Sequence, residues 1–600
     1  MKPGEYLIGV FLLIGVSALG LTQLAAGLAG LWDCGAWPPL SGFFGGFSVL
    51  GGAEGAMVNA AGCAPTQVSA IVAMVAVLLV AAVIGFAIVI AVMRWRESER
   101  YFIGDLRRRR GFARGAEVSK FLGARAAQKR ARTLRPQLGK KATAQDVAWK
   151  VGSSRGIETF VSIEDSVIVI GPPRSGKGFR FIINAILDWP GPLITTSTRN
   201  DNLAATMAMR QQMGTVTVFD PQKLSGIRST LRISPMTGCE DPMVAEQRAA
   251  ALVHGSGLGA SSNNQEWAGA AREVLAQLLL AAAVDGRTVR DLARWGGNPE
   301  LAREAVDILE QAGPPGWSTS LDAVLGGDEK LLANKWFGVS GAVAPLRIPQ
   351  IAEAMTPLPG EDVFDPIDFL SGRNTLYLIG TRSGAGSAGG YLAALMDDIV
   401  EQARRRALSL PGSRLDPPLG LILDEIANIF SWPSLPTIMA DGGGIGISPL
   451  VVLQARTQAE TAWSRAEMDS VFSAATAKML LGGSSDVAFL RDMQELLGQR
   501  ELDRKTRSWS ESGTSMSKQS ELRALITPEE MRRMPQSIGL LSYRNVRPVL
   551  LDLDAWIDRD DAKAVKRGKR ETERGQQLVF AEQEAQRRAA YRRTDEGDPA

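Results

Sequence analysis

The feature that most constrains this chain is an apolar run that leads into a glycine-rich loop and a lysine, Ser166-Val-Ile-Val-Ile-Gly-Pro-Pro-Arg-Ser-Gly-Lys177-Gly-Phe. The β-branched run predicts a buried strand, and the Gly171-x4-Gly176-Lys177 spacing is typical of a P-loop that opens a helix. In such a loop the backbone N–H groups surround the β-phosphate, while the lysine reaches the β- and γ-phosphate oxygens. The sequence therefore predicts an α/β domain that binds ATP. Its predicted nucleotide-binding residues are Gly171, Pro172, Pro173, Arg174, Ser175, Gly176, Lys177 and Gly178.

Two acidic residues end a second apolar run, Leu419-Gly-Leu-Ile-Leu-Asp424-Glu425. This pattern places carboxylates at the carboxyl edge of a central strand, where open α/β sheets bind ligands. We expect Asp424 to hold Mg2+ through its water shell, and Glu425 to orient and deprotonate the attacking water. A third run ends at Gln454, which we expect to sense the γ-phosphate. Lys177, Asp424, Glu425 and Gln454 are thus the predicted catalytic residues, and Mg2+ is the predicted metal.

Gly178 departs from the usual P-loop pattern, since most P-loops carry Ser or Thr after the lysine to ligate Mg2+. Without that hydroxyl, the metal would depend more on phosphate oxygens, water and the acidic pair.

Two apolar runs near the N-terminus, residues 6–31 and 68–93, each exceed the ~20 residues that cross a hydrocarbon core. A cleaved signal peptide is the alternative for the first run, but its length and the second run favour an anchor. No Lys or Arg occurs between Lys2 and Arg94, whereas residues 94–141 contain sixteen basic and four acidic residues. The positive-inside rule places this basic segment in the cytoplasm and residues 32–66 outside. The basic residues would then face anionic lipid head groups, with direct nucleic-acid binding as the alternative.

Only three cysteines occur among 600 residues, which excludes a disulfide-dense scaffold. Cys34 and Cys63 both lie in the predicted outside loop, so a disulfide between them is one of two open possibilities. The single histidine, His254, lies in a Gly/Ser-rich stretch and is interpreted as a loop residue.

Together these motifs resemble the type IV coupling proteins of conjugation and type IV secretion, a TraG/TraD-like group of hexameric DNA-pumping ATPases. A P-loop that ends in Gly-Lys-Gly is typical of one branch of that family. Further segments resemble the family in the same order: Thr195–Leu203, Gly214–Pro221, Asp424-Glu425, Gln454–Gln458, Gly482–Asp486 and Leu525–Met531. The resemblance implies a RecA-like domain with an inserted all-α domain that faces the substrate, preceded by two transmembrane helices.

The predicted domains follow from this resemblance and from the helical periodicity of the insertion. They are an anchor (1–95), a basic linker (96–150), a RecA-like domain (151–235 and 351–556), an inserted all-α domain (236–350) and a charged tail (557–600). The polar segment Gln499–Gln519 is predicted to be a loop, and the tail to be either a solvated helix or disordered. An arginine finger cannot be carried over, because Asp441–Gly446 contains no arginine; Arg382, Arg456 and Arg491 lie near strand ends and none is preferred.

The resemblance implies an ATPase that couples relaxase-bound single-stranded DNA to a type IV secretion channel. Its expected partners are DNA with the relaxase, the cell membrane, inner-membrane channel components and five further copies of the chain. Two alternatives stay open. One is an FtsK-like double-stranded DNA translocase; the other is a receptor for protein substrates that uses ATP as a switch.

Overall fold

The computed structural model describes residues 3–37, 44–51, 62–256, 265–357, 364–381, 388–510 and 513–595. The chain divides into two compact units, residues 1–108 and residues 109–600.

The first unit is built on two long helices, Pro3–Cys34 and Gln67–Glu97. Their apolar runs are far longer than a typical strand of about 3–10 residues. The helices pack against each other through small residues, among them Ala25, Ala29 and Ala73, which allow close approach of helix backbones. Both helices are apolar and long enough to cross a membrane, and only 6% of the most apolar window of the second is buried. The helices of this unit are Pro3–Cys34, Gly45–Leu50, Gln67–Glu97 and Glu99–Arg108.

A disulfide between Cys34 and Cys63 joins the end of the first long helix to the segment before the second. Beside it, Asp33 Oδ2 accepts a hydrogen bond from the backbone N–H of Thr66 at 2.7 Å. Thr66 is the N-cap of the second long helix, where its side chain accepts from the N–H of Ser69. The two helix ends are therefore fixed to each other both covalently and by hydrogen bonds.

The second unit is organised by an eleven-stranded sheet with the order β2-β1-β13-β12-β9-β3-β8-β7-β4-β6-β5. The strands from β9 to β5 are parallel to their neighbours, and those from β12 to β2 extend the sheet with antiparallel pairs. The central parallel strands are fully buried, as their β-branched sequences predict. The strands are Ala148–Ser154 (β1), Ile157–Ser162 (β2), Val167–Ile170 (β3), Leu193–Ser197 (β4), Val216–Phe219 (β5), Thr375–Ile379 (β6), Leu419–Asp424 (β7), Ile447–Leu453 (β8), Ala477–Leu481 (β9), Gln499–Ser510 (β10), Gly513–Ala524 (β11), Ile538–Tyr543 (β12) and Val546–Asp552 (β13).

Helices cover the parallel part of the sheet, as connections between parallel strands require. The helices that follow or precede its strands are Ile183–Asp188, Asp201–Gln211, Gly389–Leu408, Leu435–Ile445, Arg456–Ala459, Arg465–Ala474 and Val487–Leu497.

An all-helical insertion separates β5 from β6. Its helix Gln265–Val284 is a third segment apolar and long enough to span a membrane, yet 56% of its apolar window is buried by neighbouring helices of the insertion. Packing inside the insertion therefore accounts for its apolar character. The insertion helices are Pro242–Gly255, Gln265–Val284, Val289–Gly297, Arg303–Ala312, Trp317–Leu325, Glu329–Val343 and Pro349–Ala354.

The segment before β1 differs from the expected linker. Val118, Leu122 and Leu134 are buried in the core beside the sheet. The backbone N–H of Ala113 also donates to the carbonyl of Pro548 at 2.9 Å. Basic residues lie close to these apolar ones in the sequence, so the segment reads as a charged linker and its packing is not apparent. The helices here are Gly115–Phe121, Ala124–Gln128 and Ala131–Leu134.

Three further segments clarify or correct the sequence interpretation. The expected loop at Gln499–Gln519 is instead extended over its described residues, 499–510 and 513–519, which belong to the antiparallel strands β10 and β11. The charged tail is helical over Ala562–Asp595 and packs along helix Asp201–Gln211. His254 is in helix Pro242–Gly255 rather than in a loop, with its Nε2 3.2 Å from the hydroxyl of Ser431.

Candidate nucleotide site

The predicted P-loop connects β3 to a helical turn at Gly178–Ile182 that continues as Ile183–Asp188. The loop begins where the N–H of Gly171 donates to the carbonyl of Leu453 on β8 at 2.9 Å. It turns through two left-handed residues, Arg174 (φ 64°) and Gly176 (φ 82°), the first of which is unusual for a residue with a Cβ. Gln536 donates to the carbonyl of Arg174 at 2.7 Å, so a residue from before β12 holds the loop in place.

The structure brings Lys177 and the acidic pair together at the carboxyl edge of the parallel strands. Lys177 Nζ lies 2.7 Å from Glu425 Oε1 and 3.9 Å from Asp424 Oδ1. All three side chains are largely buried, since the most exposed of them retains 12% of its surface. The meeting of these residues follows from strand order, because β7 is two strands away from β3, with β8 between them.

Glu425 is held by more groups than the sequence predicted. Gln454 Nε2 donates to Glu425 Oε1 at 2.6 Å, and the hydroxyl of Thr198 donates to Oε2. Glu425 also has a left-handed backbone, with φ 53°. An unfavourable backbone conformation at a polar cleft is characteristic of residues that function there.

The two acids have opposite electrostatic environments. Burial raises the pKa of Asp424 to about 7, which the positive charge of Lys177 only partly opposes. Burial would also raise the pKa of Glu425, but hydrogen bonds from Lys177, Thr198 and Gln454 outweigh it and lower that pKa. Glu425 is therefore ionised at neutral pH, whereas Asp424 changes charge in the neutral range.

Asp424 is tied to the strand and helix beside it. The hydroxyl of Thr196 donates to its carbonyl at 2.8 Å, and Asn202 Nδ2 donates to its Oδ2 at 3.0 Å. Its other carboxylate oxygen, Oδ1, is buried and accepts no hydrogen bond from the residues that the structure describes. A buried carboxylate oxygen with free lone pairs fits the expected Mg2+, whose preferred ligands are carboxylate and water oxygens.

A cleft of about 580 Å³ opens beside these groups and is large enough for a nucleotide. One part of its wall is charged or polar and belongs to the P-loop, the acidic pair, Gln454 and Asn202. Another part is apolar, formed by Phe179, Ile183 and Trp556. Of the predicted loop residues, Pro173, Arg174, Gly176, Lys177 and Gly178 line this cleft.

Several lining or bonding residues were not predicted from the sequence, among them Thr198, Asn202, Trp556 and Lys569. Thr198 and Asn202 follow β4, inside the segment Thr195–Leu203 that resembled the family, so that segment was a usable signal. Lys569 lies on the last helix, and Trp556 lies on the short turn before it, where it is buried against Ile183 and Val565.

Two sequence profiles match this chain. Residues 117–288 match a family described as "Type IV secretory system Conjugative DNA transfer". Residues 418–536 match one described as "TraM recognition site of TraD and TraG". The first contains the P-loop and β4, and the second contains Asp424, Glu425 and Gln454. The chain belongs to the type IV coupling protein family.

Solved structures of a coupling protein share this fold. An unbound form of the bacterial conjugative coupling protein TrwBdeltaN70 is 18% identical over 68% of this chain and 88% of that chain, with a TM-score of 0.52. TrwB in complex with the ATP analogue ADPNP is 16% identical over 68% and 89% of the two chains, with a TM-score of 0.51. At this identity the likeness shows the fold alone. No curated protein matches the chain in sequence.

The arginines considered for a finger differ in their contacts in this coupling protein. Arg456 is committed to ion pairs with Glu460, Asp469 and Asp492 within its own chain. Arg491 is exposed on helix Val487–Leu497, and Arg382 lies outside the described residues. Arg456 therefore links the helices after β8 to one another within the chain.

Proposed function

We propose that this chain is a membrane-anchored ATPase that couples relaxase-bound DNA to a type IV secretion channel and drives transfer of a single strand. The observation that carries the proposal is the meeting of Lys177, Asp424 and Glu425 at one sheet edge, inside a chain matched by conjugative DNA-transfer profiles. TrwB has been solved with ADPNP and with ADP and Mg2+, which supports ATP and Mg2+ as the ligands here.

Each residue of the site has a role that its contacts support. Lys177 would leave Glu425 to bind the β- and γ-phosphate oxygens, because an ammonium group prefers the more highly charged partner. Glu425 would then stay oriented by Thr198 and Gln454, and its carboxylate would accept a proton from the attacking water. Asp424 would hold Mg2+, which when bound offsets the charge that develops on the phosphates.

The membrane anchor and its orientation are also part of the proposal. Residues 94–141 would face the cytoplasm with the bulk of the chain, and residues 32–66 would lie outside the cell membrane. The disulfide between Cys34 and Cys63 supports this orientation, because disulfides persist in oxidising compartments. Inner-membrane components of the secretion channel would meet the anchor.

We assign substrate reception to the helical insertion and translocation to a homohexamer. The insertion lies outside the sheet, between β5 and β6, so it can vary without altering the phosphate-binding edge. A ring of six subunits would convert hydrolysis into stepwise movement of a DNA backbone. Contacts with that backbone would be electrostatic and independent of sequence.

The test is ATP hydrolysis by the full chain in detergent, with no DNA, with single-stranded DNA and with double-stranded DNA. We expect single-stranded DNA to stimulate hydrolysis most. Greater stimulation by double-stranded DNA would indicate an FtsK-like translocase instead. Hydrolysis that neither DNA changes would favour a receptor for protein substrates.

A further inference from the structure

The side chain of Asn202 occupies the place beside Gly178 where most P-loops present a hydroxyl. Gly178 follows the P-loop lysine and has no side chain. A Cβ placed on Gly178 would lie 3.1 Å from Oδ1 of Asn202, closer than about nine in ten real contacts of a Cβ. A serine at this position would therefore require Oδ1 of Asn202 to move by a few tenths of an ångström.

The hydrogen bond to Asp424 fixes which end of the Asn202 amide faces Gly178. Asp424 Oδ2 accepts a hydrogen bond from Nδ2 of Asn202 at 3.0 Å. The NH2 group of the amide therefore points to Asp424, and its carbonyl oxygen Oδ1 points to Gly178. Asn202 is only 5% exposed and lines the nucleotide cleft, so this oxygen is directed into the site instead of into bulk water.

The backbone of Asn202 is held as firmly as its side chain. It lies in the first turn of helix Asp201–Gln211, where Thr206 donates a hydrogen bond to its carbonyl at 2.6 Å. The same Thr206 hydroxyl lies 2.7 Å from that of Tyr377 on β6. The amide is thus presented on a rigid support, as a ligand for a metal requires.

We propose that Asn202 is a Mg2+ ligand that replaces the missing P-loop hydroxyl and also positions Asp424. Its Oδ1 supplies the neutral oxygen that Gly178 lacks, and its Nδ2 holds Asp424 so that Oδ1 of the acid stays open. An amide carbonyl and a carboxylate are both oxygen ligands of the kind that Mg2+ takes in proteins. This inference rests on the proposed function, because it presupposes that the cleft binds Mg2+ with a nucleotide.

The test compares binding of a fluorescent non-hydrolysable ATP analogue with Mg2+ and with EDTA, using the full chain in detergent. The measured quantity is the gain in affinity that Mg2+ produces. We expect Asn202→Ala to reduce this gain about tenfold, the usual cost of losing a group that orients a metal site, and to leave binding in EDTA unchanged. Asn200→Ala is the matched control, since it removes the same side chain at the start of the same helix, where Asn200 donates to the carbonyl of Leu224 and does not line the cleft.

A reciprocal substitution separates this role from a purely structural one. Gly178→Ser alone should lower the Mg2+ gain, because the new side chain displaces Oδ1 of Asn202. The double variant Gly178→Ser with Asn202→Ala should recover most of the gain, because the hydroxyl is restored and the conflict is gone. If Asn202 is a bystander, Gly178→Ser alone should instead raise the gain, and this comparison decides the matter even if Asn202→Ala does not fold.

Three results would overturn the proposal. These are an unchanged Mg2+ gain in Asn202→Ala, an equal loss in Asn200→Ala, or a higher gain in Gly178→Ser. A wild-type chain that binds the analogue without any Mg2+ gain would contradict the proposed nucleotide chemistry itself, so failure of the two proposals can be distinguished.

Discussion

Replacing Glu425 by glutamine should raise nucleotide affinity while it abolishes turnover. The Lys177 ammonium is 2.7 Å from the Glu425 carboxylate, and the two side chains are 11% and 12% exposed. A bound phosphate must compete with Glu425 for this ammonium group. Removing the negative charge therefore removes the competitor, although the amide oxygen of the glutamine can still accept a weaker hydrogen bond.

The magnitudes follow from the bonds involved. A hydrogen bond between charged groups contributes roughly 1.5–3 kcal/mol, of which the glutamine retains part. We therefore expect about tenfold tighter binding of ATP, which corresponds to roughly 1.4 kcal/mol. Loss of a general base typically lowers the rate by about 10²–10⁴-fold, and the amide cannot accept the proton from water.

The assay pairs equilibrium titration of a fluorescent ATP analogue with steady-state phosphate release. Glu353→Gln serves as the matched control, because it neutralises a half-exposed glutamate whose ion pairs lie outside the cleft. Glu425→Gln that hydrolyses ATP at the wild-type rate would refute its role as the base. Weaker binding by Glu425→Gln would refute the competition between phosphate and carboxylate.

Four further predictions use the same structure. Lys177→Ala should weaken nucleotide binding by tenfold or more, since roughly 1.5–3 kcal/mol of charge-assisted contact is lost; normal affinity in the titration would contradict this. Burial raises the pKa of Asp424 from 3.8 to about 7, so its contribution to stability is present at acid pH and is lost as the pH rises towards 7. The Tm of Asp424→Asn relative to wild type should therefore increase between about pH 4 and pH 7 and level off above, and a constant difference would argue against the raised pKa. The role of the insertion in receiving substrate can be tested at its surface. Replacing residues 236–350 by a linker would also break the ion pair between Arg248 and Asp398, so we prefer the point substitution Phe337→Asp, at a side chain that is 71% exposed. It should lower DNA transfer between cells and leave basal ATP hydrolysis intact, and unimpaired transfer would count against the insertion as the receiving surface. After reduction, Cys34 and Cys63 should react with an impermeant maleimide in intact cells, whereas Lys140→Cys should not; the natural Cys239 cannot report because it is fully buried.

The catalytic groups were predictable where their signal is local. The P-loop, Asp424-Glu425 and Gln454 each directly follow a buried apolar strand, so a reader of the sequence can place them at one sheet edge. Thr198 and Asn202 also follow a strand, but nothing in the sequence indicates that they would meet Glu425 and Asp424. That meeting depends on β4 lying beside β7, which is a property of the strand order.

Other parts of the fold could not be predicted, because the polarity of the sequence does not indicate how a segment packs. The segment from 109 to 150 reads as basic, yet single apolar residues such as Leu122 and Leu134 are buried beside the sheet. Strands β10 and β11 contain few apolar residues, so their composition does not predict strands. They are held together by antiparallel backbone hydrogen bonds. In the tail, Gly568 allows close approach to Ala208, a contact between distant segments that no local pattern predicts.

Because the C-terminal helix contributes to the cleft, the cleft can be completed only after the last part of the chain has been synthesised. Lys569 lines the cleft, and Gln576 donates to the carbonyl of Ser225 at 2.8 Å, although both residues come after the last strand of the sheet. The anchor helices, in contrast, leave the ribosome before any strand does. If these helices anchor the chain as proposed, it would reach the membrane while its nucleotide cleft still lacks a wall, and a chain cut short after β13 would be anchored with an incomplete cleft.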